Sequence, residues 1–301
     1  APIAAPVDPM VTPPRPLPER AASPALQPLV DRVRRVFPEP AWPMLGAGLA
    51  HVVEYQDAAY GAEYLDRMEQ VLAWERQFGG AARGHPLTVE AARQVAVAMA
   101  YDDVIRVADL KTRAERFARV RAEVGAGAGE VVQAEEYFHP RLEEICSALP
   151  AGLGRWIESS PRLRARLEPR LDRGRRLHPG TVWGYLQLRA VAAMRRWRRG
   201  SLRHLREQAH LGAWLAAVQR ATASDPALAL ELVRCRRLIK GYSDTHARGS
   251  GRFDRLMAAA VLLAARPDAA TALESLRTAA LRDASGEALE ARSHALGLPR
   301  P

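Results

Sequence analysis

Lysine and cysteine are both scarce in this chain of 301 residues. There are two of each: Lys111 and Lys240, and Cys146 and Cys235. Cysteines this few and this far apart exclude a disulfide framework, a CxxC pair and an iron–sulfur cluster held by four thiolates of this chain. The first residues also lack the basic and apolar regions of a secretory signal. We therefore expect a cytoplasmic protein, since reduced thiols are typical of the cytosol.

Long apolar runs and cofactor-binding motifs are also missing. The longest apolar stretch, "LMAAAVLLAA" at Leu256–Ala265, is about half as long as a membrane-spanning helix, so we expect no membrane partner. The sequence contains no P-loop and no HExxH pair, and its glycine-rich stretches do not follow a strand as a dinucleotide fingerprint does. The GDG…N pattern of a thiamine-diphosphate site is missing too. The sequence thus predicts no cofactor in this chain.

Arginine, by contrast, supplies nearly all the positive charge. Of the 44 lysines and arginines 42 are arginine, and the formal net charge at pH 7 is +10. Alanine is abundant as well, and the two biases together indicate a GC-rich genome. The two lysines are then informative, because a compact ammonium group binds differently from a planar guanidinium. A basic balance suits nucleic acid, an acidic protein or an anionic ligand.

Proline divides the chain into two parts. Residues 1–43 hold 12 of the 22 prolines, a density that disfavours regular structure and favours an extended connector. The sequence therefore predicts a Pro-rich linker, extended or disordered, over residues 1–43 and a helical domain over residues 44–301. A connector implies something on its N-terminal side, so we expect another domain to precede it in the natural chain.

The remainder of the chain has the pattern of helices. Apolar residues in 49–78 recur at helical spacing, a "TRAE" capping box at 112–115 predicts one helix start, and Asp225 predicts another. No long run alternates like a strand, although room remains for one or two short strands near Val131 or His178. The predicted fold is all-α, a multi-helix bundle of about eight to eleven helices.

Three groups of polar residues are candidate sites, and the first lies in "HPRLEEIC". If a helix begins at His139, then His139 and Glu143 share one face at i, i+4, and such a pair can bind a metal. The same residues suit a histidine that caps a helix whose first turn carries favourable glutamates. The sequence leaves both interpretations open.

The second group is the charged row "AYDDVIRVADLKTR" at 100–113. Paired carboxylates such as Asp102 and Asp103 can act as general acid and base when the pKa of one is raised. Charges of alternating sign at i, i+3 and i, i+4 also occur on an ordinary solvated or interfacial helix. Lys111, one of the two lysines, is the binding candidate in this row.

The third group is "LIKGYSDTHARGSGRF" at Leu238–Phe253, which we predict to be a connection between two helices. Its basic residues beside an Asp-x-His arrangement can bind an anion such as a carboxylate, and its glycines let the backbone approach a ligand closely. A structural cluster that satisfies the polar groups of a loop is the alternative. The binding candidates are Lys240, Tyr242, Asp244, His246 and Arg248.

Arginines also interleave with Trp183, Trp197 and Trp214. This pattern is found in nucleic-acid-binding proteins, and equally in arginine-rich helices whose indole rings pack inward. The 34 acidic residues argue against a dedicated nucleic-acid-binding protein.

Four long segments carry a family resemblance. They are "YQDAAYGAEYLDR" (Tyr55–Arg67), "YDDVIRVADLKTRAERFARVRAEV" (Tyr101–Val124), "EYFHPRLEEICSALPAGLGRW" (Glu136–Trp156) and "LIKGYSDTHARG" (Leu238–Gly249). In the same order, they resemble the C-terminal region of indolepyruvate ferredoxin oxidoreductases, in particular the small (beta) subunit of the two-subunit bacterial form. The resemblance covers most of the chain from residue 44 onward.

This resemblance implies a role inside an enzyme complex. In that family a large subunit binds thiamine diphosphate and iron–sulfur clusters, decarboxylates an aryl pyruvate oxidatively, forms an aryl-acetyl-CoA and passes electrons to ferredoxin. The small subunit begins with a γ-like α/β domain, and this chain resembles the helical extension that follows it. The family's catalytic residues are therefore not carried over. The implied partners are the large subunit, the γ-like domain of the same natural chain, and ferredoxin.

Two other functions stay open from the residues alone. One is an independent helical module that binds a ligand, or a metal at His139. The other is a helical protein that binds nucleic acid.

Overall fold

The computed structural model describes residues 14–127, 130, 132, 135–138, 141–171, 175–241, 243–283 and 285–299. The predicted all-α class is confirmed, and the fifteen α-helices in these residues exceed the predicted number. In chain order the elements are α1 (Gln27–Val36), α2 (Trp42–Tyr55), α3 (Ala58–Gln77), α4 (Pro86–Met99), α5 (Val104–Lys111), α6 (Ala114–Glu123), β1 (Glu136–Phe138), α7 (Leu142–Ala148), α8 (Ala151–Glu158), α9 (Pro161–Leu171), β2 (Arg175–Leu177), α10 (Val182–Ala193), α11 (Leu202–Ser224), α12 (Pro226–Cys235), α13 (Ser243–Leu263), α14 (Ala269–Arg282) and α15 (Glu287–Ala295).

The chain divides into two compact units, where the sequence predicts one helical domain over 44–301. Residues 1–101 and 210–301 form the larger unit, and residues 102–209 form the inserted unit. Of the two boundaries between them in the chain, one follows Tyr101 and the other falls within α11. Across the described ranges, every helix is too short or too polar to span a lipid bilayer.

Two aspartates explain part of the excess of helices. The carboxylate of Asp57 accepts a hydrogen bond from the amide of Tyr60 at 2.8 Å and so caps α3. Asp103 caps α5 in the same way, through the amide of Arg106 at 2.6 Å. The helical spacing of apolar residues continues across both aspartates, so this spacing alone predicts one helix at each place. The aspartate cap instead begins a new helix there.

The two helix starts that we predict from capping residues have opposite outcomes. Asp225 does cap α12, since its carboxylate accepts hydrogen bonds from the amides of Ala227 and Leu228. The "TRAE" capping box is wrong. The hydroxyl of Thr112 donates to the carbonyl of Ala108 at 3.1 Å, at the end of α5, and no side chain caps α6. A threonine hydroxyl that can reach a carbonyl one turn earlier competes with the capping geometry.

The linker prediction for residues 1–43 needs correction beyond residue 23. Short 3-10 turns cover Pro24–Leu26 and Glu39–Ala41, and α1 lies between them. Prolines are tolerated here because they occupy the first or second position of these helices and of α2, where no amide donor is needed. Arg32 of α1 forms ion pairs at 2.7 Å with Asp66 and Glu69 of α3. Residues 1–13 lie outside the described part of the chain.

The larger unit is organised around a continuous apolar core. Helices α2, α3 and α4 pack against one another, α12 packs against α4 and α14, and α14 contacts α13 and α15. The buried hydroxyls of Tyr60 and Tyr64 donate to the carbonyls of Met99 at 3.0 Å and Ala92 at 2.9 Å. A buried hydroxyl without a partner is costly, so these two bonds fix α3 against α4.

The inserted unit has little apolar core of its own. Among its described side chains eight apolar ones are buried, against 44 in the larger unit. Its helix pairs include α5 with α10, α7 with α8, and α8 with α9, and β1 pairs with β2 in antiparallel register, near the position where we expect a short strand. Seven polar or charged side chains are buried as well: Asp103, Arg106, Thr112, Arg198, Ser201, His204 and Glu207.

One buried ion pair joins α5 to the 3-10 segment Met194–Gly200. The Nε of Arg198 donates to Oδ2 of Asp103 at 2.9 Å, and its Nη2 donates to Oδ1 at 3.2 Å. Arg198 is only 2% exposed and Asp103 is 7% exposed. The carboxylate that begins α5 therefore also neutralises a guanidinium that has little contact with water.

This ion pair generates a stability prediction. We expect Asp103→Asn to lower the free energy of unfolding by about 3 kcal/mol, because it removes the charge that compensates the buried guanidinium of Arg198. The matched change is Asp109→Asn, which removes a partly exposed ion pair with Arg113 and should cost less than about 1 kcal/mol. Urea denaturation followed by circular dichroism measures both. Equal losses in the two variants would contradict the assigned role of Asp103.

Candidate functional site

The stretch Leu238–Phe253 is mostly helical, which corrects the prediction of a connecting loop. A 3-10 turn ends at Leu238, Gly241 adopts a left-handed φ of 73°, and α13 begins at Ser243. The glycine supplies the turn that a side chain would strain. The three glycines of this stretch lead us to predict a flexible connection. In the structure Gly249 and Gly251 lie within α13, and Gly241 alone among the three has a left-handed backbone.

The binding candidates of this stretch are spread along the start of α13. Lys240 is exposed before the helix and Arg248 is exposed on it, while His246 is half-buried with its Nδ1 3.4 Å from the Oγ of Ser250. Asp244 falls in the first turn of α13. Tyr242 lies outside the described residues. The structure thus places two cations on the surface here and gives His246 a neighbour on its own helix.

Gly249 brings the backbone of α13 against the preceding turn. A Cβ atom at this position would lie 2.5 Å from the carbonyl oxygen of Leu238 and 3.3 Å from the Cα of Ile239. The close approach that we expect of a glycine is therefore made to another backbone segment. Gly251, two residues later on the same helix, has no neighbouring atom within 4 Å of such a Cβ.

A polar network near this stretch escapes sequence analysis. Arg236, which is 3% exposed, lies over the rings of Trp214 and Phe253 and donates from Nη1 to Nδ1 of His210 at 2.9 Å. Since Nδ1 accepts, Nε2 of His210 carries the hydrogen and faces Oδ1 of Asp254 at 3.2 Å. The interleaving of arginine with aromatic residues is the signal, and here it marks packing within the larger unit.

The charged row at 100–113 is largely explained by ion pairs. Asp109 pairs with Arg113 at 2.5 Å and with Arg106 at 3.7 Å, and Asp103 pairs with Arg198. Lys111 is half-buried at the end of α5, where a cation is favourable. Burial raises the pKa of Asp102, although Arg106 and Arg203 oppose the rise. A raised pKa in one carboxyl group of the pair is the condition that we set for acid–base chemistry.

The metal hypothesis at 139–146 stays a prediction. His139 lies outside the described residues, and Glu143 is in the first turn of α7 with its carboxylate 3.4 Å from Nη2 of Arg164. Burial raises the pKa of the Cys146 thiol in the same helix. Among the residues that the structure describes, no group of three or more His, Cys, Asp and Glu side chains is placed to hold a metal ion.

The three tryptophans have two different environments. Trp214 is buried and its Nε1 donates to the carbonyl of Leu232 at 3.0 Å, as an inward-packing indole should. Trp183 and Trp197 are 71% and 63% exposed, which corrects the inward-packing interpretation for both. Tryptophan is among the residues most enriched at the energetic centres of protein interfaces.

The raised pKa of Asp102 generates a pH prediction. A carboxyl group with a raised folded-state pKa adds stability below its unfolded-state pKa, and this stability is lost as the pH rises through the folded-state pKa. Asparagine stays neutral at every pH. We therefore expect Asp102→Asn to match the parent protein at about pH 3 and to be more stable than it at about pH 7. Urea unfolding at both pH values measures the difference, and a loss of stability at the higher pH would contradict the assignment.

The two glycines of α13 form a matched pair for a packing prediction. Gly249→Ala should lower the free energy of unfolding by about 1–3 kcal/mol, because its methyl group would collide with the carbonyl of Leu238. Gly251→Ala should raise it by about 0.5–1 kcal/mol, because alanine favours a helix and the site is open. Thermal or urea unfolding distinguishes the two. A shift of the same sign in both variants would show that the close approach at Gly249 does not constrain the helix.

Comparison with known proteins identifies the family of the chain. A model described as a family of unknown function (DUF6537) matches residues 42–259. No curated protein and no solved structure matches. Because the family model covers well over half of the sequence, the chain belongs to the DUF6537 family.

Proposed function

We propose that this chain is a non-catalytic helical domain of an arylpyruvate ferredoxin oxidoreductase of the indolepyruvate type. It supports assembly of the complex, or it shapes the access of a 2-oxoacid or CoA to an active site on a partner. Thiamine diphosphate, the iron–sulfur clusters and CoA are assigned to the large subunit, and no chemical step is assigned to this chain. The proposal places the protein in the cytoplasm.

The order of the four resembling segments supports the proposal. All four, from Tyr55 to Gly249, lie inside the range 42–259 that the family model matches. They occur in the same sequence as in the small subunit that they resemble. A likeness that extends over four segments is more specific than any single motif in this chain.

The observation that carries the proposal is that the residues of these segments serve to pack the helices together. In Tyr55–Arg67 all three tyrosines are buried, and two of them hold α3 to α4. In Tyr101–Val124 the carboxylate of Asp103 caps a helix and pairs with a buried arginine. The distinctive residues therefore serve packing, as expected of a domain that supplies shape to a complex.

Exposed cations in the fourth segment suit contact with a partner. Lys240 and Arg248 are exposed at the start of α13, while the nearby buried Arg236 is engaged by His210 and two aromatic rings. Exposed groups of this kind can meet carboxylates or phosphates of a partner or substrate. In the proposal they belong to the contact surface of the domain.

Reconstitution of the complex tests this function. We expect the chain to co-purify with the large subunit when both are expressed with the γ-like domain. We also expect its omission to reduce arylpyruvate-dependent and CoA-dependent reduction of ferredoxin. The double variant Lys240→Ala and His246→Ala should lower turnover or affinity about tenfold, whereas the control Arg220→Ala on the exposed side of α11 should change neither.

Two results would count against the proposal. Unchanged assembly and turnover in the double variant would leave residues 238–253 with a purely structural role. Oxidation of a 2-oxoacid by the isolated chain, or thiamine diphosphate or an iron–sulfur centre bound to it, would end the proposal that the chain is non-catalytic.

A further inference from the structure

Helix α10 has apolar residues on two opposite faces. Its inner face places Leu188 and Ala192 in one buried cluster with Ala108 of α5. Its outer face carries an exposed row at i, i+4, i+8 and i+11, which we call the α10 stripe: Val182, Leu186, Ala190 and Ala193. A helix with apolar residues on two opposite faces is typical of one that is covered on both of those faces. One side of α10 is therefore built to be covered by something outside the inserted unit's own core.

The exposed apolar side chains are large and concentrated in this part of the chain. Val182 is 79% exposed and Leu186 is 51% exposed, and Trp183 adjoins them. Trp197 follows in the next segment with the guanidinium of Arg196 4.9 Å from its ring centroid. Among the described residues, ten of the fourteen exposed large apolar side chains belong to the inserted unit. Tryptophan and arginine together are the residues most enriched at the energetic centres of protein interfaces.

The segment of the sequence that contains the α10 stripe carries charge of a single sign. Residues 173–206 contain ten arginines and neither aspartate nor glutamate. The inserted unit holds 22 basic and 14 acidic residues and so carries +8 of the chain's +10. Arg189 is exposed on α10 itself. Two copies of this surface would repel each other, whereas a surface that bears carboxylates would be attracted to it.

The shape of the stripe favours a protein over other anionic partners. A row of aliphatic residues at helical spacing fits an apolar groove in the manner of an amphipathic helix. Nucleic acid has no apolar groove that would bury Val182 and Leu186, since proteins bind it through cations and aromatic stacking. The aliphatic residues and the arginines together match a groove that is apolar at its centre and acidic at its rim.

We infer that the α10 stripe, together with Trp183 and Trp197, is the docking surface for an acidic protein partner with such a groove. This inference rests on the proposed function, in which that partner is the large catalytic subunit. Docking buries the aliphatic row and pairs Arg189 with carboxylates at the rim. The inserted unit is then the part of the chain that holds the complex together.

Titration calorimetry of the purified chain with the purified large subunit tests the inference. Val182→Ser with Leu186→Ser should raise Kd about tenfold or more. Its matched control, Val261→Ser with Leu262→Ser, changes side chains of similar exposure on α13 and should leave Kd unchanged. Arg189→Glu should weaken binding at about 50 mM salt and much less at about 500 mM, because salt screens charge attraction. Arg220→Glu is the charge control. All four variants change exposed positions, and circular dichroism checks that each variant folds.

The outcomes separate the inference from the proposed function. If the parent chain binds the large subunit and the α10 variants bind equally well, the docking surface is elsewhere and the proposed function stands. If the parent chain does not bind the large subunit, the inference fails, and the reconstitution with the γ-like domain decides the proposed function separately. Three further results would replace the inference with another. The first is a dimer of the parent chain, detected by analytical ultracentrifugation, that the serine variants do not form. The second and third are binding of the parent chain to generic RNA or to phosphatidylglycerol vesicles, when the serine variants have lost that binding.

Discussion

The bidentate contact between Arg198 and Asp103 is the interaction on which the inserted unit most depends. The unit buries few apolar side chains, so hydrophobic packing alone does not fix its helices against one another. One carboxylate begins α5 and also neutralises a guanidinium that is almost out of contact with water. A buried ion pair contributes little net stability, but removing one partner is costly, and the pair therefore specifies one arrangement of these two segments.

The same shortage of apolar core explains where interaction surface is available. The larger unit uses its tyrosines, leucines and Trp214 to close its own core, and few large apolar side chains there are left exposed. The inserted unit leaves Trp183, Trp197 and one side of α10 in solvent, within a stretch that has ten arginines and no acidic residue. Exposed apolar area in a segment that carries only positive charge is a poor surface for an isolated protein and a good one for docking to an acidic partner. A larger unit that buries its apolar side chains and an inserted unit that exposes them are consistent with a domain that acts within a complex.

The candidate site could be predicted only in part. The stretch at 238–253 is polar and rich in glycine, which favours a loop, but its residues from Ser243 onward form the first turns of α13. Of its three glycines only Gly241 has a left-handed φ. The exposed tryptophans were missed for a related reason: Trp214 packs inward and Trp183 does not, although both lie among arginines. When a helix has apolar residues on both its inner and its outer face, their spacing in the sequence does not show which face a tryptophan belongs to.

The sequence by itself determined the all-α class, the start of α12 at Asp225 and the excess of positive charge, because these follow from local propensity and composition. The caps at Asp57 and Asp103 are local contacts as well, but the continuing apolar period masks them in the sequence. Only the tertiary structure decided that residues 102–209 form a unit of their own and that α10 keeps one apolar face in solvent. These two features depend on which side chains meet across distant parts of the chain, and such contacts leave no period or motif in the order of the residues.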